Sequence, residues 1–261
     1  MRTPHFLLAL LAYALSGCGR ADTAPPMGAP VHGAALSDAD QVRAADVSIL
    51  FVGNSHTGTH DLPGVIARMI RFRTPGVTVY TRVRGVAFLE DAERDPGIGE
   101  EVEARPWKHV VLQAQKESRS GKFQYPTAPG VELAKRVSAK GARALFYSEW
   151  GLSGVPGHGA RIEKMYTEMA TESGARVAPV GRAWDRALAA RPALELHSPD
   201  GNHQSELGAF LTAAVLYGGL TGDDPATLAT FPYDAASADE RKFLAETAAH
   251  ALAEQGAQPA K

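Results

Sequence analysis

The fold is decided by residues 47–57, which read VSILFVGNSHT. The first six residues form a short run of β type, and Gly53 ends it. A continuous apolar run is typical of a strand buried on both faces, as in a parallel sheet. Because Ser55 lies two positions after Gly53, the sequence predicts a reactive side chain just past the carboxyl end of the first strand.

Downstream of this strand, short apolar runs alternate with amphipathic stretches. Further strand patterns cover residues 77–83, 109–113, 144–147 and 177–180, and helical spacing covers 62–73, 131–137, 162–169, 184–188, 207–220 and 243–252. Such alternation favours a parallel sheet with helices on both faces. The pattern contains no internal repeat and no second domain. We therefore predict one three-layer α/β/α sandwich with a central parallel sheet over residues 47–255.

The totals agree with one soluble domain and exclude some partners. A chain of 261 residues is long enough for one sizeable domain. Lysine and arginine (27) nearly balance aspartate and glutamate (29), for a formal net charge of −2. A chain so close to neutral has no overall field to attract nucleic acid or an anionic membrane surface. We predict that nucleic acid is not a partner.

The N-terminus has the pattern of an export signal. Residues 1–17 contain Arg2, an apolar run from Phe6 to Leu15, and small residues at the end. Residues 15–18 read LSGC and resemble the lipobox of bacterial lipoproteins, which implies acylation of Cys18 and membrane anchoring. Cys18 is the single cysteine, so it cannot form an intrachain disulfide. An ordinary signal peptide with an incidental cysteine is the alternative.

Two further predictions concern where the domain is held. The residue after Cys18 is Gly19 and not an aspartate. By resemblance to lipoprotein sorting in enterobacteria, this implies a location at the outer membrane, on its periplasmic side or at the cell surface. Residues 18–46 are rich in alanine, proline and glycine and show no helical or strand period. This composition predicts a flexible tether between the anchor and the domain.

Ser55 alone is weak evidence of chemistry. Gly53 permits a tight turn, and the helix expected next offers backbone N–H groups to an anion. Serine and asparagine, however, also simply cap helices. The stretch is not the G-x-S-x-G elbow either, because Thr57 stands where the second glycine would be.

A second segment, residues 198–203 with the sequence SPDGNH, strengthens the case. A hydroxyl nucleophile needs a base, and an imidazole base needs an acceptor on its other nitrogen. Asp200 and His203, three apart around a glycine turn, can meet both needs from one loop. The alternative is a turn aspartate and a solvated histidine.

Together, the two segments resemble the SGNH hydrolases, also called GDSL-like esterases. Gly53-Asn54-Ser55 corresponds to the first block of that family, and Asp200-x-x-His203 to its last, 148 residues from the serine. The resemblance implies a flavodoxin-like fold, a catalytic triad of Ser55, His203 and Asp200, and no cofactor.

The resemblance also implies an oxyanion hole. The family uses a glycine N–H after its second strand and an asparagine side chain after its third. Gly85 matches the glycine, although a plain turn glycine is the alternative. Gln113 stands in place of the asparagine and offers the same amide donor on a longer side chain, with Gln115 as the spare candidate. Asn54 is a further candidate for oxyanion or substrate binding.

The expected function is therefore a serine esterase of the cell envelope. Its substrate would be a small acyl ester, such as an acetyl group on a carbohydrate, by analogy with the family alone. A lipase or lysophospholipase is a second possibility. A third is a catalytically silent domain that binds glycans, because Gln113 replaces the asparagine of the family.

Other polar clusters have weaker interpretations. His56 and His60 are four apart with Asp61 adjacent, so one helix face could bind a metal, but the H-E-x-x-H pattern is absent and we predict no metal site. An acidic stretch at residues 91–95 has the pattern of a solvated loop. Tyr147 and Trp150, after the fourth strand, either line a substrate cleft or pack in the core.

Overall fold

The computed structural model describes residues 37–256. The predicted signal, the predicted lipidation site at Cys18 and most of the predicted tether lie outside the described residues.

The strands are β1 Val47–Gly53, β2 Val79–Gly85, β3 His109–Leu112, β4 Arg143–Tyr147 and β5 Arg176–Ala178. The α-helices are α1 Asp38–Ala44, α2 Ser55–Gly58, α3 Leu62–Arg73, α4 Leu89–Arg94, α5 Pro96–Ala104, α6 Ala128–Ala139, α7 His158–Ser173, α8 Val180–Ala190, α9 Glu206–Thr221 and α10 Ala238–Gly256. Short 3₁₀ helices cover Thr59–Asp61 and Pro225–Thr230. Within this part of the chain, no helix combines the length and apolar character needed to cross a bilayer.

The five strands form one parallel sheet in the order β2-β1-β3-β4-β5. This confirms the predicted fold class. In the register of the sheet, Gly53 lies opposite Gly85, and Val52 lies opposite Leu112. The carboxyl ends of β1, β2 and β3 are therefore level, and the residues that follow them meet at one edge of the sheet.

Burial on both faces of β1 explains its apolar sequence. Ile49 and Phe51 face a core formed with α3, α8, α9 and α10. Leu50 and Val52 face a second core formed with α4, α5, α6 and α7. All four side chains have no exposed surface. The two cores lie on opposite faces of the sheet and give the domain its three layers.

The folded domain starts before residue 47, inside the predicted tether. Helix α1 begins after Ser37, whose hydroxyl accepts a hydrogen bond from the Asp40 N–H at 3.2 Å. Its Val42 is 1% exposed and packs in the second core. One buried residue in a seven-residue helix gives no periodic signal, so the composition of the stretch was misleading.

The acidic stretch at residues 91–95 was wrongly predicted as a loop. Asp91 and Glu93 lie in α4. Asp95 caps α5, because its carboxylate accepts hydrogen bonds from the N–H groups of Gly97 at 2.7 Å and Ile98 at 3.3 Å. Acidic side chains at the start of a helix stabilise it through these bonds and through the helix dipole.

A buried histidine at the start of β3 gives the fold a pH dependence. His109 is 9% exposed, and burial, with Arg143, Arg176 and Lys108 nearby, lowers its pKa to about 4. Between about pH 6.5 and about pH 4, His109 is protonated in the unfolded chain and neutral in the folded chain. Its contribution to the free energy of unfolding is therefore full above about pH 6.5 and decreases on acidification. We expect wild-type protein to lose about 2–4 kcal/mol of unfolding free energy between about pH 7 and pH 4 through this residue. His109→Gln should not show this loss.

Urea unfolding at several pH values measures the effect. His250→Gln is the matched control, because His250 is an exposed histidine on α10. The control should keep the acid sensitivity of the wild type. Equal acid sensitivity of His109→Gln and wild type would contradict the assignment.

Candidate active site

Ser55 lies in the turn from β1 into α2. A Cβ atom on Gly53 would lie 2.4 Å from Gln113 Oε1 and 2.4 Å from Thr57 Oγ1, so the close packing of this turn requires glycine. Asn54 caps the helical turn, and its Oδ1 accepts a hydrogen bond from the His56 N–H at 3.1 Å. Ser55 is the first residue of α2 and is exposed at the carboxyl edge of the sheet.

The loop before α9 holds Asp200 and His203 in one compact turn. Asp200 Oδ1 accepts hydrogen bonds from the backbone N–H groups of Asn202 at 2.9 Å and His203 at 3.0 Å. Gly201 adopts a φ of +68°, a conformation that glycine tolerates best. Asp200 Oδ2 lies 2.5 Å from His203 Nδ1. The hydrogen bond from His203, followed by the two backbone bonds, holds the pKa of Asp200 well below its ordinary value.

The structure brings these two segments together. His203 Nε2 lies 2.8 Å from Ser55 Oγ. With Asp200 accepting from Nδ1–H, Nε2 is left to accept the hydroxyl proton of the serine. The side chains of His203 and Asp200 are 32% and 49% exposed. Ser55, His203 and Asp200 thus form one continuous hydrogen-bonded chain that is open to solvent.

Gly85, the predicted backbone donor, lies next to the turn that carries Ser55. It ends β2 opposite Gly53, and no atom lies within 4 Å of the position that a Cβ would take. The residue is exposed. Its neighbour Val86 donates its N–H to Gly53 O at 3.0 Å, which fixes the segment against the turn that carries Ser55.

The geometry does not fit the prediction that Gln113 is an oxyanion donor. Its Nε2 donates to Asn54 Oδ1 at 2.8 Å and to Glu149 Oε1 at 2.7 Å. Its Oε1 accepts from Asn54 N at 2.9 Å and Thr57 Oγ1 at 2.7 Å. A side-chain amide has two N–H groups, and both are engaged here in a fully buried residue. Gln113 instead braces the turn that carries Ser55.

The spare candidate, Gln115, is also engaged elsewhere. Its Nε2 donates to the carbonyl oxygen of the adjacent Lys116 at 3.3 Å and to Pro126 O at 3.0 Å, near the end of the following loop. Asn54 is different, because its Nδ2 has only a long contact, 3.5 Å, to Ala87 O. Among the predicted side-chain donors, Asn54 therefore has the amide that is least committed within the described chain.

The predicted helix face with His56 and His60 does not form. Helix α2 ends at Gly58, and His60 and Asp61 have φ values of +57° and +50°, so the chain turns away between the two histidines. His60 Nε2 contacts Gln204 O at 3.1 Å. Within residues 37–256, no group of three or more side chains has the arrangement of a metal site.

Glu149, just after β4, is a site residue that sequence reasoning missed. Its carboxylate lies 2.9 Å from His56 Nδ1 and accepts hydrogen bonds from Gln113 and Tyr166. The neighbouring Trp150 is 3% exposed and stacks on His56 at 4.8 Å between ring centroids. Trp150 thus packs beneath the site, and it does not line an open cleft. A lone glutamate after a strand has no motif that could have identified it.

Comparison with known proteins concerns the fold of the chain. No family model matches the chain, and no curated protein matches it. A solved structure of a protein from Slackia heliotrinireducens, described as an SGNH hydrolase, is 26% identical, with a TM-score of 0.53 over 66% of this chain and 97% of that one. This chain belongs to the SGNH hydrolase superfamily.

Two further solved structures share the fold at lower identity. A DUF4886 family protein from Bacteroides uniformis is 15% identical, with a TM-score of 0.60 over 79% of this chain and 95% of that one. A catalytic mutant of an acetylxylan esterase from Geobacillus stearothermophilus is 11% identical, with a TM-score of 0.56 over 68% and 95%. This member of the superfamily therefore covers nearly the whole length of these three solved structures.

Proposed function

We propose that the protein is a serine esterase that removes a small acyl group, such as acetyl, from a carbohydrate. The observation that carries the proposal is the hydrogen-bonded chain from Ser55 Oγ to His203 Nε2 and from His203 Nδ1 to Asp200 Oδ2. That arrangement activates a hydroxyl for attack on a carbonyl carbon. A domain that only binds ligands has no need of it, which argues against a silent glycan-binding domain.

The proposed reaction has two stages. Ser55 Oγ attacks the ester carbonyl while His203 takes its proton, and Asp200 stabilises the imidazolium. The backbone N–H groups of Ser55 and Gly85 then hold the oxyanion, with Asn54 Nδ2 as the side-chain donor in place of the expected Gln113. His203 returns the proton to the departing alcohol. Water, activated by the same histidine, cleaves the acyl-enzyme.

The surroundings of the triad support a carbohydrate on the alcohol side of the ester. A cavity of about 1090 Å³ lies beside the catalytic loop and includes Ser198 and Gly201 of that loop in its lining. Its wall also carries hydroxyl and carboxylate groups, among them Ser153, Asp185 and Glu195. Groups of this kind form hydrogen bonds with sugar hydroxyls. The acetylxylan esterase among the structural relatives acts on such a substrate by its description.

Location is part of the proposal and rests on sequence alone. The export signal and the lipobox-like residues 15–18 support an envelope protein held to the membrane through Cys18. Release of the Cys18→Ser variant from the membrane fraction would support the anchor, and continued membrane association would count against it.

A series of p-nitrophenyl esters tests the activity and the acyl preference together. We expect kcat/KM to fall by about tenfold or more from acetate to octanoate, because a site built for acetyl lacks contacts for added methylenes. Release of acetate from acetylated xylan or acetylated oligosaccharides should accompany it. Rising rates with chain length would favour a lipase. Absence of hydrolysis of every ester, with measurable glycan binding, would favour the silent domain.

A further inference from the structure

A second histidine–carboxylate pair lies directly beside the proposed triad. The Glu149 side chain is 14% exposed and receives four hydrogen bonds. The donors are His56 Nδ1 at 2.9 Å, Gln113 Nε2 at 2.7 Å, Ala114 N at 3.1 Å and the Tyr166 hydroxyl at 3.1 Å. The reaction described above does not use this pair. So many donors around one carboxylate indicate that it is ionised.

His56 connects this carboxylate to the catalytic loop. The Nδ1 atom of His56 is bonded to Glu149, and the His56 ring stacks on Trp150. Trp150 in turn holds a residue of the loop, because its Nε1–H donates to Asn202 O at 2.9 Å. The ring of His56 meets that of His203 edge-on, with 5.3 Å between centroids and an interplanar angle of 90°. Any displacement of His56 would therefore be transmitted to the base.

Ring stacking also fixes the position of His56. Its ring stacks on Trp150, and Trp150 stacks on Trp184 at 4.1 Å with an interplanar angle of 6°. Trp184 is 1% exposed and belongs to the core. A column of three rings thus leads from the packed interior to the loop that carries His203.

The charges around the pair favour an ion pair. Burial disfavours the charged form of His56, but hydrogen bonding and charge from Glu149, the Asn202 side chain and the charge of Asp200 outweigh it and raise the pKa of His56. Burial likewise opposes ionisation of Glu149, yet the bonds it accepts leave its pKa lowered.

The other titratable groups facing the pair are His203 from the catalytic loop, Tyr147 from β4 and Tyr166 from α7. Burial raises the pKa of both tyrosines well above the ordinary value, so they stay neutral. The imidazolium of His56 therefore lies near one other ionisable imidazole, that of His203.

We propose that His56 and Glu149 are a positioning pair: they lock the loop with Asp200 and His203 against the Ser55 turn, and they place a cation edge-on to the base. The inference rests on the proposed function. Because Gln113 joins Glu149 to Asn54, the same pair also orients the residue that precedes the nucleophile. Neither residue of the pair touches the substrate in this scheme.

His56→Phe is the principal test, because phenylalanine keeps the stacking on Trp150 but loses both ring N–H groups. We expect kcat for p-nitrophenyl acetate to fall about 10- to 100-fold with KM within about threefold, as for a misplaced catalytic group. With the cation gone and Glu149 unpaired, protonation of His203 becomes easier. The acid limb of the pH profile of kcat/KM should then move about half a unit or more toward higher pH.

Glu149→Gln provides a second variant and a readout independent of activity. The proton between His203 Nδ1 and Asp200 gives a far-downfield ¹H NMR resonance when that hydrogen bond is short and ordered. We expect the resonance to broaden or shift in both Glu149→Gln and His56→Phe. The matched control is His158→Phe, which removes a second buried pair, His158 with Glu117 at 2.5 Å. The control should keep the resonance and the pH profile while losing thermal stability.

The outcomes separate this inference from the proposed function. Folded His56→Phe and Glu149→Gln proteins with kcat within about twofold of wild type, an unmoved acid limb and an unchanged resonance would overturn the inference. If His56→Phe does not fold, the resonance and kcat of Glu149→Gln decide the matter. Esterase activity that survives Ser55→Ala would instead overturn the proposed function, whatever the two positioning variants show.

Discussion

Ser55→Ala is expected to lower kcat/KM for p-nitrophenyl acetate by about 10⁴-fold or more, because the variant has no nucleophile to form the acyl-enzyme. His203→Ala should lose a similar amount, since an unactivated hydroxyl attacks an ester poorly. The double variant should be scarcely worse than either single one, because residues that act as a unit give non-additive losses. The free energy of unfolding should change little, since Ser55 is exposed.

Steady-state kinetics, with labelling by a fluorophosphonate that reacts with activated serines, measures this prediction. Ser138→Ala is the matched control, because Ser138 is an exposed serine on α6. The label should attach to wild type and to the control but not to Ser55→Ala. Equal rates for wild type and Ser55→Ala would show that another group performs the hydrolysis.

Asp200→Asn has the second largest expected effect, a loss of about 10³- to 10⁴-fold in kcat. Asparagine can still accept the two backbone bonds of the turn through its carbonyl oxygen, so the loop should keep its shape. Its amide nitrogen, however, cannot accept the His203 Nδ1–H. The imidazole would then carry its proton on Nε2, where it can no longer take the proton of Ser55 Oγ from 2.8 Å away.

The change in pH dependence of stability supplies a separate check on Asp200→Asn. The pKa of Asp200 is depressed in the folded chain, so its contribution to stability is full above about pH 4 and is lost on further acidification. The variant should lack this part of the acid sensitivity. Asp234→Asn, at an exposed aspartate, is the control. Unaltered kcat in Asp200→Asn would remove the carboxylate from the proposed mechanism.

The sequence predicted the structure best where a local pattern of burial or a short spacing of polar residues determines it. The apolar run before Ser55 predicts a strand buried on both faces, and β1 has that burial. The spacing of Asp200 and His203 predicts that one turn carries both, and Asp200 Oδ1 closes that turn on two backbone N–H groups. These features are local, or depend on a burial pattern that the order of residues records directly.

The sequence was least informative where a residue depends on partners from several segments. Gln113 has the right chemistry for an oxyanion donor, but its N–H groups are taken by Asn54 and by Glu149, which lies 36 positions further along the chain. Glu149 itself matters because His56 and Tyr166 converge on it. No spacing of residues in the sequence predicts that these side chains meet, because their meeting depends on how β1, β3, β4 and α7 pack.

The distance along the chain between Ser55 and His203 has a consequence for biosynthesis. The serine precedes four of the five strands, whereas the histidine follows all of them. Contacts between such distant segments form late, because the intervening chain must be ordered first. In a nascent or partly unfolded polypeptide, Ser55 would thus lack its hydrogen bond to His203. The proposed hydrolytic activity would then be a property of the finished molecule, and the appearance of ester cleavage during refolding would report a late step of its folding.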